Sequence, residues 1–287
     1  MKRKFEEECN LGDGVSWWRG KLLGKGGFGS VYLAKLKKTY SRNQVYPPLM
    51  AVNNLCTCPY ILQCIGEETT LNKNGEMFYN VLLEYASCGT LATLTNQSGG
   101  CGLPESDVRR YTTCILQGIA YIHRHDYVHC DLKPENVLLV AIDNGGSVPK
   151  IVDFGLAKKL VKNNKKRKMT DYCVGGTTLY MVPETVVDHI PKSPCDIWAL
   201  GFIVLEMFTR KRVWFPSEMR RIGDRFELLL ISSEIPKDGK DFLKRSLAKK
   251  PEFRFTAEML LNHPFMSGLD ETNGTTDFEE ISDEECV

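Results

Sequence analysis

The middle of the chain carries a carboxylate, an amine and an amide at a spacing that suits phosphoryl transfer. The segment His129–Leu139 has the pattern HxDxKxxN followed by three apolar residues. Asp131 could accept the proton of an acceptor hydroxyl and orient its oxygen, while Lys133 could neutralise charge on the transferring phosphoryl group. Asn136 could hold a magnesium ion. We therefore predict a catalytic loop here, with a purely structural role in an inactive relative as the alternative.

A second carboxylate follows at a separation that fits the same chemistry. Asp153-Phe154-Gly155 begins 22 residues after Asp131, behind the apolar pair Ile151-Val152. Such a triplet is common in loops, but at this spacing its aspartate is expected to chelate magnesium. Asn136 and Asp153 are therefore the predicted metal ligands.

A glycine-rich segment near the start of the chain is the predicted phosphate-binding turn. It matches GxGxxGxV, with Gly24, Gly26 and Gly29 as the glycines and Val31 as the valine. In a dinucleotide-binding fold a helix would follow, but Val31–Ala34 has the composition of a strand. A strand, a glycine turn and a second strand let backbone N–H groups cover nucleotide phosphates. A plain hairpin turn is the alternative interpretation.

The elements that must position these residues fall into two parts, of which the first is predicted to be a mostly antiparallel sheet over residues 17–85. Its strands are expected within Trp17–Leu36 (two strands around the glycine turn), Leu49–Val52, Ile61–Glu67 and Met77–Glu84. Asn74-Gly75 is the predicted turn of the last pair. The small polar stretch Ala86–Gly89 suits a hinge.

The second part is predicted to be helical. After Pro104, apolar residues recur at three- to four-residue steps, namely Val108, Tyr111, Ile115, Ile119 and Ile122. Asp196–Thr209 is apolar nearly all round, so we expect a central buried helix. Asp241–Leu247 and Ala257–Leu261 are expected to form shorter amphipathic helices. The predicted fold class is therefore α+β, with a small antiparallel β lobe and a larger α-helical lobe.

Bulk properties argue against several classes of protein. A net charge of +1 gives no general attraction to nucleic acid or to a membrane surface. No run of about 18 apolar residues suggests a membrane span, and the segment MKRKFEEECN lacks the apolar region of a secretory signal. The eleven cysteines are scattered, and Cys56 and Cys58 are too close for the usual zinc clip. Reduced thiols are therefore expected, rather than disulfides or a zinc site.

These motifs, in this order, resemble a eukaryotic Ser/Thr protein kinase over residues 17–266. Met181-Val182-Pro183-Glu184 stands where the family has its APE motif. The segments Cys58–Ile61, Leu83–Leu91 and His129–Asp131 are similar to the plant mitogen-activated protein kinase kinase kinases of the MEKK type. The resemblance implies an N-lobe at 17–85, a hinge at 86–91 and a C-lobe at 92–266, between an N-terminal extension at 1–16 and an acidic tail at 267–287. We expect that tail to be disordered.

The resemblance also implies a site for ATP and Mg²⁺. The residues that it places around adenine are Leu23, Val31 and Ala51 above the ring and Leu138 below it. Leu83 would be the gatekeeper, and Glu84 and Ala86 would offer backbone groups of the hinge.

Three further residues receive roles through the resemblance. Thr177 would hydrogen-bond to Asp131 and Lys133. Asp196 is expected to anchor the backbone of the catalytic loop. Arg254 is expected to pair with Glu184 in a buried, bidentate contact.

One departure from the family pattern bears directly on activity. Asn53 follows Ala51-Val52 at the place of the lysine that grips the α- and β-phosphates. Only Asn53–Cys58 separate that strand from Pro59, and six residues make about 9 Å of helix at most. The helix αC and its glutamate are therefore expected to be missing. We expect weak or no activity, which makes a pseudokinase or a truncated gene product the alternative to an active kinase.

Partners and regulation are expected to follow the family. The implied substrate is a protein, a MAP kinase kinase, with no role for nucleic acid or membrane, and the expected location is the cytoplasm, with the nucleus as a further option. We expect a monomer that can self-associate through the uncovered N-lobe sheet. Cys130 replaces an arginine that pairs with activation-loop phosphate, so phosphorylation at Thr170 or Thr178 should matter less. The basic run Lys158–Lys168 is either a solvated loop or a site for an acidic segment, including the chain's own tail.

Overall fold

A computed structural model describes residues 13–26, 29–37, 57–98, 102–143, 145–160, 192–210 and 235–267. The predictions that concern Leu49–Val52, Asn53 and the missing helix lie outside these residues. So do those for Thr170, Thr177 and the acidic tail.

The first hairpin has the glycine-rich segment at its turn, as predicted. Strand β1 spans Trp17–Gly26 and pairs in antiparallel fashion with β2, Gly29–Leu36. The pairing begins at Trp17 opposite Leu36 and ends at Gly26 opposite Gly29, with irregularities around Leu22. The glycines therefore stand at the turn end of the hairpin, which is where a phosphate-covering loop has to lie.

The second hairpin is formed by β3, Cys64–Leu71, and β4, Met77–Leu83. Gly75 has a φ of 80°, which glycine adopts without steric cost, so the predicted Asn74-Gly75 turn is confirmed. The side chain of Asn72 accepts hydrogen bonds from the backbone N–H groups of Asn74 and Glu76 and thereby closes the turn. The first strand begins three residues later than predicted because Ile61 bridges to Ile151 instead.

The prediction of a single N-lobe sheet is not confirmed within the described residues, where β1–β2 and β3–β4 are separate two-stranded sheets. Side chains connect them instead of a backbone ladder. The indole Nε1 of the buried Trp17 donates to a carboxylate oxygen of Glu68 at 2.7 Å. Arg19 Nη2 donates to Asn80 Oδ1 at 2.9 Å. Among the described residues, polar contacts such as these join the two hairpins.

The helical part is built around two long helices of 20 and 16 residues, which follow a short first helix. Helix α1 spans Leu91–Gln97, and α2 spans Glu105–Arg124 with acidic residues in its first turn and basic residues in its last. That charge distribution favours the helix dipole at both ends. The predicted apolar stripe of α2 is buried throughout, as the exposures of Val108, Tyr111, Ile115, Ile119 and Ile122 show.

Helix α3, Pro194–Thr209, is the predicted central helix, and every residue from Asp196 to Thr209 is buried. Gly201 lets it approach the chain after the next helix, since a Cβ atom there would lie 2.7 Å from Leu247. Helices α4, Lys237–Ser246, and α5, Ala257–Leu261, complete the lobe. The observed α4 begins four residues before the predicted one.

Among the described residues, two short strand pairs lie between α2 and α3. Strand β5, Tyr127–Val128, pairs with β8, Lys158–Lys159, and β6, Val137–Ala141, pairs with β7, Ser147–Ile151. The hydrophobic core is shared by α2, α3, α4 and this β region. Cys58 and Ile61 belong to the same core, although the sequence places them in the N-lobe segment.

Two predictions about bulk properties can be compared with the structure. Among the described residues, no helix is long and apolar enough to cross a membrane. Within the described ranges, no disulfide joins any of the six cysteines found there.

Candidate active site

The hairpin β6–β7 brings the two predicted metal ligands to the same end of a ladder. Val137 pairs with Ile151, and the backbone N–H of Val152 donates to the carbonyl oxygen of Asn136 at 3.0 Å. Asn136 therefore precedes one strand at the point where Asp153 follows the other. Two residues that are 17 apart in sequence are in this way placed side by side.

The loop before β6 gathers the predicted catalytic side chains around one carboxylate. Lys133 Nζ lies 2.6 Å from Asp131 Oδ2. Asn136 Nδ2 donates to the carbonyl oxygen of Asp131 at 2.9 Å and to Asp131 Oδ2 at 3.1 Å. Asp131 and Asn136 are both buried. The structure thus unites three residues that the sequence could only suggest by their spacing.

Asn136 and Asp153 offer oxygen ligands of the kind that suits a magnesium ion shared with phosphate oxygens. The hydrogen bonds of the Asn136 side chain use its Nδ2 group, so within the described residues its Oδ1 atom is available as a ligand. Asp153 is exposed, and its Oδ1 accepts only a long hydrogen bond, 3.3 Å, from the N–H of Gly155. Mg²⁺ prefers such oxygen ligands and completes its shell with water and substrate phosphate. In the part of the chain that the structure describes, no three His, Cys, Asp or Glu residues form a metal site by themselves.

His129 connects the catalytic loop with the segment around Asp153. The N–H of Asp131 donates to His129 Nδ1 at 3.3 Å, which leaves the proton on Nε2. His129 Nε2 then donates to the carbonyl oxygen of Val152 at 2.9 Å. The imidazole ring also stacks edge-on against Phe154, at 5.0 Å between centroids. One side chain therefore ties both carboxylate-bearing segments together.

Asp196 holds the backbone of the same loop, as predicted from the resemblance. Its carboxylate accepts hydrogen bonds from the N–H groups of His129 and Cys130 at 2.9 and 3.0 Å, and it lies 2.9 Å from His123 Nε2. Cys130 has a φ of 68°, an uncommon conformation for a residue with a side chain. Burial alone would raise the pKa of Asp196, but the hydrogen bond and charge of His123, together with His129, lower it overall. Asp196 therefore holds a strained loop in place.

The residues predicted to face the nucleotide lie on both hairpins and on β6. Leu23 and Val31 are 46% and 58% exposed, and Leu83 at the end of β4 is 46% exposed. Leu138 is half-buried on β6. The described residues leave open space around Gly24, Gly26 and Gly29, since a Cβ atom at any of these glycines would contact none of them within 4 Å. Apolar side chains left open to solvent beside an open glycine turn are suited to a planar apolar ring and its phosphates.

The hinge is joined to the floor of this site by backbone hydrogen bonds. Cys88 N donates to the carbonyl oxygen of Leu139 at 3.1 Å, and Leu139 N donates to that of Gly89 at 2.9 Å. Within the described residues, the N–H of Ala86 has no hydrogen-bond partner. Ala86 can therefore donate to a ligand, as its predicted role requires.

One pair near the hinge was not predicted from the sequence. Lys150 Nζ lies 2.7 Å from Glu84 Oε1, and the same oxygen accepts the N–H of Gln63 at 2.7 Å. Glu84 therefore connects the hinge, the start of β3 and strand β7. Because the partners are 66 residues apart, no local pattern in the sequence indicates this contact.

Of the remaining residues with predicted roles in the site, only Arg254 lies within the described ranges. Ala51, Thr177 and Glu184 lie outside the described residues. Arg254 is buried and donates to the carbonyl oxygens of Ala248 and Pro194, at 2.9 and 2.8 Å from its terminal nitrogens. Its proposed pairing with Glu184 stays a prediction.

Comparison with known proteins identifies the family of this chain. Residues 17–266 match the model of the protein kinase domain. Mitogen-activated protein kinase kinase kinase 20 of Arabidopsis thaliana is 40% identical over 301 aligned residues, which include 95% of this chain and 85% of the relative. Mitogen-activated protein kinase kinase kinases 18 and 17 of the same plant are 33% and 32% identical, over 88% of this chain and 78% and 70% of their own lengths. The chain therefore belongs to the protein kinase domain family, among the serine/threonine kinases of the plant mitogen-activated protein kinase kinase kinase group.

Proposed function

We propose that this chain transfers the γ-phosphoryl group of ATP to a serine or threonine hydroxyl, with Mg²⁺ as cofactor, and that it does so slowly. The observation that supports this best is the convergence of Lys133 and Asn136 on the carboxylate of Asp131, at 2.6 and 3.1 Å. A carboxylate that is fixed in this way can orient a hydroxyl and accept its proton.

The proposed reaction is a single displacement at phosphorus. The acceptor oxygen forms a bond to the γ-phosphorus while the bond from that phosphorus to the bridging oxygen of ADP breaks. The hydroxyl proton passes to Asp131 Oδ1 or Oδ2. Lys133 neutralises charge on the phosphoryl oxygens during the transfer. Phosphoserine or phosphothreonine and ADP are the products.

Asn136 and Asp153 are the residues proposed to hold magnesium. The ion would neutralise the phosphate oxygens and fix their position. Leu23, Val31, Ala51 and Leu138 are proposed to enclose the adenine, and Glu84 and Ala86 to bind its edge through backbone groups. Gly24, Gly26 and Gly29 would let the backbone approach the phosphates. Thr177 is proposed to support Asp131 and Lys133.

The expectation of slow transfer rests on Asn53. A preorganised charge contact in an active site is typically worth about 100- to 1,000-fold in rate. The alignment with the 40%-identical relative spans 301 positions, more than the 287 residues of this chain, so that relative has residues that this chain lacks. This supports a deletion such as the missing αC helix, which the short Asn53–Cys58 segment suggests.

A second candidate function follows from the same departure. Without the lysine and its partner helix, the chain could act as a pseudokinase that binds nucleotide or protein partners without turnover. Asn53 in the place of the lysine favours this candidate. The geometry of Asp131, Lys133 and Asn136 favours the first.

The proposed substrate is a MAP kinase kinase, because the relatives are named as kinases of such a kinase. The chain is proposed to work as a monomer in the cytoplasm or nucleus, and without nucleic acid or membrane as a partner. These finer proposals depend on the family and on the near-neutral net charge of +1.

Transfer of radiolabelled γ-phosphate to an inactive MAP kinase kinase tests the proposal. Wild type should give a signal above that of Asp131→Asn, and Asn53→Lys should leave the signal the same or raise it. Equal signals from wild type and Asp131→Asn would favour the pseudokinase. Asp143→Asn, an exposed aspartate on the turn of the β6–β7 hairpin, serves as the control for loss of a surface charge.

A further inference from the structure

A groove on the C-lobe, which shares no residue with the catalytic cluster, is lined mainly by charged residues of α4. The lining residues are Lys237, Asp238, Lys240, Asp241, Lys244, His263 and Pro264. The groove is open to solvent and has a volume of about 590 Å³. We call it the lysine groove.

The three lysines lie on one face of α4. Lys237, Lys240 and Lys244 are three and four residues apart, which places their side chains in a row along the helix. The opposite face, with Phe242 and Leu243, is buried in the core. The packing of this face fixes the helix, so the three lysines lie on the side of α4 that is turned away from the core.

The acidic residues of the groove are already paired. Asp238 binds Arg109 at 2.7 Å, and Asp241 lies 3.0 Å from His263 and 3.7 Å from Arg245. The hydrogen bond from His263 lowers the pKa of Asp241, so this carboxylate stays ionised in its pair. Within the described ranges, none of the three lysines has an ion-pair partner. The groove therefore presents unpaired positive charge.

The start of α4 increases this positive potential. Lys237 is in the first turn, where the partial charge of the helix dipole is also positive and a lysine is unfavourable. Pro236 precedes it and provides no side-chain cap for the first N–H groups. Lys237 therefore adds to the positive potential at the start of α4, while the acidic residue of the same turn, Asp238, is paired with Arg109.

We propose that the lysine groove binds the chain's own acidic tail, residues 268–287. The tail has eight Asp or Glu residues and no Lys or Arg, so its charge is complementary to the groove. It begins four residues after Pro264, which itself lines the groove. Twenty residues reach up to about 66 Å when extended, so the distance is no obstacle.

The tether makes this contact effective despite the modest strength of exposed ion pairs. A short flexible connection gives an effective concentration of about millimolar, so several weak pairs are enough for occupancy. The contact must also be sensitive to salt, because exposed charges are screened over roughly 10 Å at about 0.1 M. An occupied groove is closed to acidic segments of other proteins, and the tail is kept away from the basic run Lys158–Lys168.

Zero-length carbodiimide cross-linking of the full chain, read by mass spectrometry, tests the proposal because it joins a lysine to a carboxylate only in direct contact. Cross-links are expected from Lys237, Lys240 and Lys244 to tail carboxylates, with their loss at about 0.5 M salt. In Lys237→Gln/Lys244→Gln, the remaining Lys240 cross-link should fall about threefold or more. The matched variant Lys192→Gln/Lys249→Gln removes two other exposed lysines and should leave it unchanged.

Three results would overturn the proposal. The tail could cross-link to Lys158–Lys168 instead, or the groove lysines could give no tail cross-links at all. The cross-links could also occur only between two chains, seen as a species of doubled mass whose yield rises with protein concentration. Each result excludes the tail of the same chain as the occupant of the lysine groove.

Discussion

Asp131 is fixed by neighbours that act on different parts of the residue. Its carboxylate binds Lys133 and Asn136, its carbonyl oxygen accepts from Asn136, and its N–H donates to His129. A side chain with so few alternative positions loses little conformational entropy when a hydroxyl binds. Because Cys130 cannot pair with an activation-loop phosphate, we expect the orientation of Asp131 to depend on these contacts rather than on such a phosphate.

Asp196→Asn is expected to lower the free energy of unfolding at pH 7 by about 2–4 kcal/mol, since it weakens charge-assisted hydrogen bonds to a buried group. The pKa of this carboxylate is below its usual 3.8 in the folded chain. Its contribution to stability is therefore complete above pH 3.8 and is lost as the pH falls through the folded pKa.

Urea unfolding followed at pH 7 and at lower pH checks this. The difference between wild type and Asp196→Asn should shrink as the pH falls below 3.8. Asp143→Asn, which changes an exposed carboxylate, should follow wild type at each pH. A difference that stayed constant with pH would show that the charge of Asp196 is not the stabilising feature.

Among the secondary-structure elements, the periodic spacing of apolar residues was sufficient to predict the long helices. The apolar stripe from Val108 to Ile122 and the apolar run from Asp196 to Thr209 each predicted a helix that the structure confirms. Lys237–Asp238-Gly239 is polar and includes a glycine, so the first turn of α4 could not be recognised. The pairing of the N-lobe hairpins with each other stays a prediction, because alternation in β1 and β3 says nothing about which strand pairs with which.

Some contacts within the site could be predicted from the sequence, and others could not. The grouping of Asp131, Lys133 and Asn136 follows from short spacing, and the role of Asp196 follows from the resemblance. The bridge from Glu84 to Lys150 and the position of His123 beside Asp196 depend on tertiary packing, which one sequence does not reveal.

Gly201→Ala tests the packing of α3 against the chain after α4. The new Cβ atom would lie 2.7 Å from Leu247 Cγ and 3.1 Å from Ser246 Cβ, so these neighbours must shift. Overpacking costs about 1–3 kcal/mol and exceeds the gain of about 1 kcal/mol from replacing a helical glycine. Thermal unfolding should therefore show a lower midpoint.

Gly146→Ala is the matched control for this substitution. A Cβ atom there would meet Ile142 at 3.4 Å, an ordinary contact, so its midpoint should stay near that of wild type. Equal stability of Gly201→Ala and wild type would mean that α3 and Leu247 are not closely packed.

At the scale of the whole molecule, the two lobes differ in how they are stabilised. The core cluster consists of C-lobe residues together with Cys58, Ile61 and the last hinge residue, Leu91. In the described part of the N-lobe, by contrast, large apolar side chains of both hairpins are exposed. Leu71 and Met77 face each other across β3–β4 and are 61% and 76% exposed. The N-lobe is thus expected to be the less stable lobe and the one that associates.

Leu71→Lys/Met77→Lys should reduce self-association without unfolding the chain, because both side chains are already exposed. Sedimentation velocity should show wild type as a monomer when dilute and as larger species at about 100 µM, with the double variant monomeric throughout. Met259→Lys, an exposed methionine of the C-lobe, should behave as wild type. If the double variant associates as strongly as wild type, another surface is responsible.

Nucleotide affinity with and without magnesium, followed with a fluorescent ATP analogue, reports on the proposed metal site independently of turnover. If Asn136 and Asp153 hold the ion beside Asp131, magnesium should tighten binding to wild type about tenfold or more, and Asp153→Asn should lose that gain. Asp131→Asn and Asp143→Asn should retain it, since neither side chain is a proposed ligand. A gain from magnesium that is as large in Asp153→Asn as in wild type would contradict the account.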